Sequence, residues 1–159
     1  MYQASTFQDK NQAYRAARLE LQAVLEQETD TILKMATICS VLKSHLPYYF
    51  WVGFYRVNPQ EPQSLMIGPY QGTLGCLHIP FSKGVCGRAA RLQATQIVAD
   101  VHADPAHIAC DSRSASEIVV PVFSQGQLLA VLDVDATELA AFDEEDQQHL
   151  ELILADHFK

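Results

Sequence analysis

Three groups of residues in this 159-residue chain carry chemistry that packing alone does not require. The first is Cys110, inside a stretch from Asp100 to Ser116 that is too long and irregular for an ordinary connector; such loops are often functional. His102, His107 and Asp111 share that stretch, and Glu117 follows at the mouth of an apolar strand. A cysteine on a polar loop can ionise, and the thiolate is the nucleophile; the blander alternative is an incidental surface thiol. The second group is Asp133 and Asp135, set two apart in the apolar run LLAVLDVDA, so that a strand turns both to one face. Two partly buried carboxyls at that spacing resist double ionisation, and one then keeps a proton it can donate near neutrality. The blander alternative is a strand end emerging into water. The third group is WVGFY at 51–55, where Trp51 and Tyr55 flank Gly53 on one strand face. That predicts a slot with aromatic walls, suited to a thioether or methyl sulfoxide because sulfur packs well on rings. An ordinary aromatic core with Gly53 relieving crowding is the alternative.

The three groups make a coherent set for sulfoxide reduction. A thiolate attacks the sulfoxide sulfur, and the departing oxygen needs an acid. The cysteine becomes a sulfenic acid, with which a second cysteine condenses. Besides Cys110 the chain has Cys39, Cys76 and Cys86. Cys39 falls on a helix face with Ile32, Leu33, Ala36 and Leu42 and reads as a small core residue. Whether Cys76 or Cys86 pairs with Cys110 stays open, because connectivity depends on distances that spacing does not supply. No C-x-x-C occurs and the cysteine gaps match no common zinc module, so no metal is expected. His107 is placed to hydrogen-bond near Cys110 and lower its pKa; the blander alternative, and the commoner one for a loop histidine, is a solvated side chain.

The elements that must position these residues follow from periodicity. Residues 7–27 predict a helix with Ala13, Ala17, Leu21, Val24 and Leu25 on one face. Thr29 or Asp30 caps a second helix that Pro47 stops. The period then changes to two, and Tyr48–Val57 reads as an aromatic strand. A loop over Asn58–Ser64, with Pro59 and Pro62, is expected next. Strands follow at Leu65–Gly68 and Cys76–Pro80. Gly84–Gly87 reads as a tight connection into a small helix over Arg88–Leu92, and Gln96–Val98 as a short strand. After the irregular stretch, Ile118–Phe123 and Leu128–Val134 form a hairpin around Ser124–Gln127. A closing helix starts near Asp143, with Glu144, Glu145 and Asp146 at the positive end of its dipole. The order predicts an α+β domain, a mostly antiparallel sheet with helices packed on it.

Composition limits the function further. The length fits one domain over 1–159, with an N-terminal helix within 1–28 that packs on its own domain or forms a dimer. A formal net charge of −8 with no basic stripe argues against nucleic acid and anionic membranes as partners. There is no long apolar run to span a membrane, and Met1–Lys10 is polar, without the apolar core of a secretory signal. A cytoplasmic location is expected, where a disulfide is usually transient and catalytic.

The segments WVGFY (51–55), GPYQG (68–72), IPFSKGVCG (79–87), HIACDSRSASEIVVP (107–121) and GQLLAVLDVDA (126–136) resemble the free methionine-(R)-sulfoxide reductases. The resemblance runs through most of residues 30–157, and GVCG together with ACD-x-x-S-x-SE is its specific part. It implies a GAF fold, commonly dimeric, and reduction of free rather than peptide-bound methionine (R)-sulfoxide. No bound cofactor is implied; thioredoxin is the external reductant. Cys110 matches the attacking nucleophile, Cys76 its usual resolving partner, and Cys86 a third cysteine that resolves or attacks. Glu117, Asp133 and Asp135 match acids that hold the substrate amine and protonate the sulfoxide oxygen. Trp51 and Tyr55 match the wall around the methyl group, and the backbone at Ile108 and Ala109 would meet the substrate carboxylate. Ser82 stands where the family usually has glycine, which alters the backbone freedom of the loop before Cys86. Cys39 is extra. The competing reading is a non-catalytic GAF sensor of a small molecule or of oxidation. Such sensors usually sit beside output domains, for which 159 residues leave no room, and two acids facing a pocket repel a phosphate ligand.

Overall fold

The computed structural model describes residues 9–108 and 110–159. Residues 7 and 8 of the expected first helix, most of the polar N-terminal stretch, and Ala109 lie outside the described residues. Helix α1 (Lys10–Val24) starts where the Asp9 side chain accepts from the Gln12 amide, and buries Tyr14, Ala17 and Leu21 at helical spacing. This helix packs on its own domain. In α2 (Thr31–His45) Asp30 is the cap, accepting from the Leu33 amide at 2.8 Å. The helix ends ahead of Pro47, whose ring disfavours helical backbone at the residue before it.

Six strands form one sheet in the order β3-β2-β1-β6-β5-β4, with every neighbouring pair antiparallel. They are β1 (Trp51–Asn58), β2 (Glu61–Gln71), β3 (His78–Pro80), β4 (Gln96–Val98), β5 (Ser116–Ser124) and β6 (Gln127–Ala136). The loop expected over Asn58–Ser64 is instead a tight turn at Pro59-Gln60 that leads straight into β2. Pro62 and Pro69 are compatible with that long strand because both fall where its register against β1 shifts. A bulge leaves a residue unpaired, so the missing amide costs nothing there. Gln125 and Gly126 both take positive φ between β5 and β6, as a two-residue hairpin turn requires.

Helix α3 (Gly84–Leu92) begins earlier than expected, so Cys86 lies in its first turn and not in a loop. A Cβ on Gly87 would stand 2.7 Å from the Pro80 carbonyl oxygen and 2.8 Å from that of Phe81. The missing side chain is what lets α3 close onto the segment after β3. Helix α4 (Glu144–His157) opens on a capping box between Asp143 and Asp146. The long stretch before β5 holds a 3-10 turn, Val101–Ala103, capped by Asp100.

Alternation along the strands divides the core in two. Val52 and Phe54 of β1, Ile118, Val120 and Val122 of β5, and Leu132 and Val134 of β6 pack under α1, α2 and α4. Trp51, Tyr55, Val119 and Val131 point the other way, under α3. No helix among the described residues is long and apolar enough to cross a membrane. The sheet therefore has a face sealed by three helices and a face covered by one helix and a loop, and the candidate site lies on the second.

Candidate active site

Strand register gathers the site. Trp51 of β1 pairs with Asp135 of β6, which pairs with Glu117 of β5; one pleat along, Gly53 pairs with Asp133, which pairs with Val119. Same-face neighbours on adjacent strands lie within contact distance, so residues scattered over the sequence converge. A cavity of about 50 Å³ is lined by Trp51, Tyr55, Cys86, Ile108, Cys110, Glu117, Asp133 and Asp135, with His107, Thr73 and Leu74 among its other walls. Cys76 joins it through a disulfide to Cys110, with a Cα–Cα distance of 5.6 Å. Of the two pairings left open by spacing, the structure has Cys76–Cys110; Cys86 is a free, buried thiol.

The two disulfide-bearing loops are bound together. The Thr73 hydroxyl donates to Asp111 at 2.7 Å, and Trp51 Nε1 donates to the Thr73 carbonyl at 2.7 Å. Arg113 also donates to Asp111, from its amide and its guanidinium, which holds that carboxyl well below the usual range. A second anchor comes from α3: both terminal nitrogens of Arg88 donate to Asp104, at 3.2 and 2.7 Å, and Nε donates to Gln96. Asp104 in turn accepts from the Ala106 amide, fixing the turn that leads to His107.

Glu117 and Asp133 are buried, with 5% and 6% exposure, and Asp135 is half-buried. Burial raises the Asp133 carboxyl well above its ordinary range, and the negative charges of Asp135 and Glu117 push it further. Asp135 is raised by burial and then by Glu117 and Asp111. The Cys86 thiol is raised in the same way, by burial first and then by Asp133, Glu117 and Asp135. Cys86 is thus held as a neutral thiol, while Asp133 keeps a proton. Glu117 Oε2 and Asp133 Oδ1 are buried without a hydrogen-bond partner, and such groups normally have one. Donor atoms of Cys86, Glu117 and Asp133 lie within 4.8 Å of one another, close enough to surround one small cation.

Two expectations change. Gly53 does not open a slot between Trp51 and Tyr55: the Trp51 ring lies over it, where an added Cβ would be 2.5 Å from Cη2. The aromatic wall is a stack instead, with Trp51 5.9 Å from Tyr55 and 5.2 Å from Tyr70 of β2 between ring centroids. His107 is not a solvated loop side chain: it is 12% exposed, and its Nδ1 stands 3.6 Å from Glu117 Oε2. Tyr70 and Thr73 went unsingled in the sequence, although both lie in or beside GPYQG. Thr73 carries no local signal, since its role arises from a partner far along the chain. Cys39 is buried at 1% exposure, away from the cavity, and burial pushes its thiol up to about 12. The backbone of Ala109 lies outside the described residues.

A sheet of this order, with helices on both faces and a cavity under the shorter cover, is the architecture of a GAF domain. The GAF domain family matches residues 21–156. A free methionine-R-sulfoxide reductase of Escherichia coli is 36% identical over 92% of this chain and 87% of its own. Among solved structures, the free methionine-R-sulfoxide reductase of Neisseria meningitidis, in complex with its substrate, superposes with a TM-score of 0.86. It is 45% identical, covering 94% of this chain and 91% of its own. The fRMsr of Staphylococcus aureus in its reduced form gives 0.85 at 40% identity, over 91% of this chain and 92% of its own. The chain belongs to the free methionine-R-sulfoxide reductase family.

Proposed function

We propose that this chain reduces free L-methionine (R)-S-oxide to methionine through Cys110, with Cys76 as the resolving cysteine. One observation carries the reading: a disulfide between Cys76 and Cys110 opens onto the same cavity as Glu117 and Asp133, two buried acids that each have an oxygen without a hydrogen-bond partner. In the reduced protein the Cys110 thiolate attacks the sulfoxide sulfur. Asp133 or Asp135, kept protonated by burial and mutual repulsion, gives a proton to the oxygen. The oxygen passes to Cys110 as a sulfenic acid and methionine leaves. The Cys76 thiol then condenses with it, forming the disulfide and releasing water. Thioredoxin supplies the two electrons that restore both thiols.

The remaining acids have a separate task. An ammonium group is a small cation, and Glu117 beside Asp133 and Asp135 would hold it. The Trp51 and Tyr55 rings take the methyl and thioether end, and the backbone around Ile108 and Ala109 meets the substrate carboxylate. A pocket that uses both the free amine and the free carboxylate leaves no exit for a peptide. No bound cofactor or metal enters this scheme. A cytoplasmic homodimer acting under oxidative stress completes the reading.

Single turnover tests it. Reduced protein mixed with methionine (R)-sulfoxide should lose two thiols per methionine formed and gain the Cys76–Cys110 disulfide. Cys110→Ser should form no methionine. Cys76→Ser should complete one turnover and then stop under thioredoxin, with a sulfenic acid that a dimedone-type probe labels. Normal cycling by Cys110→Ser contradicts the assignment.

A further inference from the structure

We propose that the protein reductant docks on an apolar collar around the disulfide, Leu74, Leu77 and Ile108, and attacks Cys110 Sγ, not Cys76. This rests on the reading of Cys76–Cys110 as the disulfide of the cycle. The two cysteines are unequally presented. Cys110 is exposed, whereas Cys76 is half-buried and packed against the apolar cluster under α3. Attack on a disulfide goes to the sulfur that the thiolate can reach. Three exposed aliphatic side chains flank the disulfide along the chain: Leu74 is 73% exposed, Leu77 57% and Ile108 36%, each within two residues of a disulfide cysteine, with His78, Asp111 and Ser112 as polar neighbours. Exposed aliphatic groups collected at one place mark contact with another protein. The Thr73–Asp111 hydrogen bond ties the loop of Leu74 and Leu77 to the loop of Cys110, so both present one surface. A disulfide at the centre of that surface defines the occupant as a small protein with a reactive dithiol.

The exchange balances. The partner thiolate bonds to Cys110 Sγ as the Cys76–Cys110 bond breaks, and Cys76 leaves as a thiolate that takes a proton from water. The partner's second thiol then attacks its own sulfur in the mixed disulfide and frees Cys110 as a thiol. Two electrons and two protons pass to the protein, and the partner becomes a disulfide.

Oxidised full-length protein is mixed with a thioredoxin whose second active-site cysteine is serine, then acid-quenched and alkylated. Peptide mass spectrometry identifies the cross-linked and the alkylated cysteine. The expected adduct is on Cys110, with the alkyl group on Cys76. Leu77→Ser should slow adduct formation about tenfold, the loss of one good apolar contact, and leave dithiothreitol-driven sulfoxide turnover unchanged. An adduct on Cys76, or no adduct, overturns the proposal, as does an equal rate for Leu77→Ser with thioredoxin. Persistent dithiothreitol-driven turnover in any of these cases separates failure of the docking surface from failure of the proposed reaction.

Discussion

A single buried carboxyl on one face of the sheet and a cluster of them on the other are treated in opposite ways. Under the three helices, Asp146 is fully buried and fully satisfied. It accepts from Tyr14 and Tyr48 hydroxyls at 2.7 and 2.6 Å, from Lys10 Nζ at 2.6 Å and from the Asp143 amide at 2.8 Å. Those partners come from α1, the segment after α2, and the start of α4, so one carboxylate pins together the elements of the sealed face. Under α3, Glu117 and Asp133 are nearly as buried, yet each retains an oxygen with no hydrogen-bond partner. The satisfied acid is part of the fold. Burial and the neighbouring Asp135 and Glu117 charges raise the affinity of Asp133 for its proton, a cost to folding that a bound ammonium or a departing oxygen would offset.

Substitutions at the two clusters should therefore diverge. Asp133→Asn removes an ionisable group the fold gains nothing from. Sulfoxide turnover should fall about 10²–10⁴-fold, the usual worth of a positioned acid, while urea unfolding at neutral pH shows stability unchanged or increased. Asp146→Ala should do the reverse. It removes the carboxylate that Lys10 and two tyrosine hydroxyls share and should cost about 3–5 kcal/mol in urea unfolding. The fraction that stays folded should keep its turnover. Equal stability losses at the two positions would erase the distinction.

The pH dependence gives a finer test. Asp133 and Asp135 have folded pKa values raised above the ordinary value, about 3.9 for an unfolded aspartate. Above that pH the native state keeps protons that the unfolded chain has lost. The stabilisation is complete below about pH 3.9 and is lost as pH rises through the raised values. Stability of the wild type relative to Asp133→Asn should thus decline from acid toward neutral pH; a flat difference would contradict the raised carboxyl. The smallest effect is expected at Cys39, a neutral core residue. Cys39→Ala should cost about 1–2 kcal/mol by loss of buried volume, with turnover untouched and read in the same coupled assay.

Much of the site was legible because its residues violate local rules. Two aspartates at period two in an apolar strand, and a cysteine in an overlong loop, stand out against what a core or a connector needs. The fold class followed from the change of period at Tyr48, and the hairpin from Gln125-Gly126. What stayed hidden depends on register and distance. Pro59 and Pro62 suggested a loop because proline usually breaks a ladder, but register shifts accommodate it in β2. Gly84 opens α3 with a positive φ, so the helix starts before the pattern of apolar residues does. The partner of Cys110 could not be read from spacing, and neither could the Trp51 ring lying over Gly53, since χ angles decide it. Asp146 looked like a dipole-favoured acid of a first turn; its partners lie more than a hundred residues away in Lys10 and Tyr14.

Thioredoxin-coupled turnover compared across three substrates tests the central claim most directly: free methionine (R)-sulfoxide, its S epimer, and a peptide-bound sulfoxide. The proposed function predicts turnover of the first alone, because in it the acids and the loop backbone would engage a free amine and a free carboxylate together. No turnover of any substrate by folded protein with reduced cysteines would contradict the account, and equal use of the peptide would contradict its explanation of the pocket.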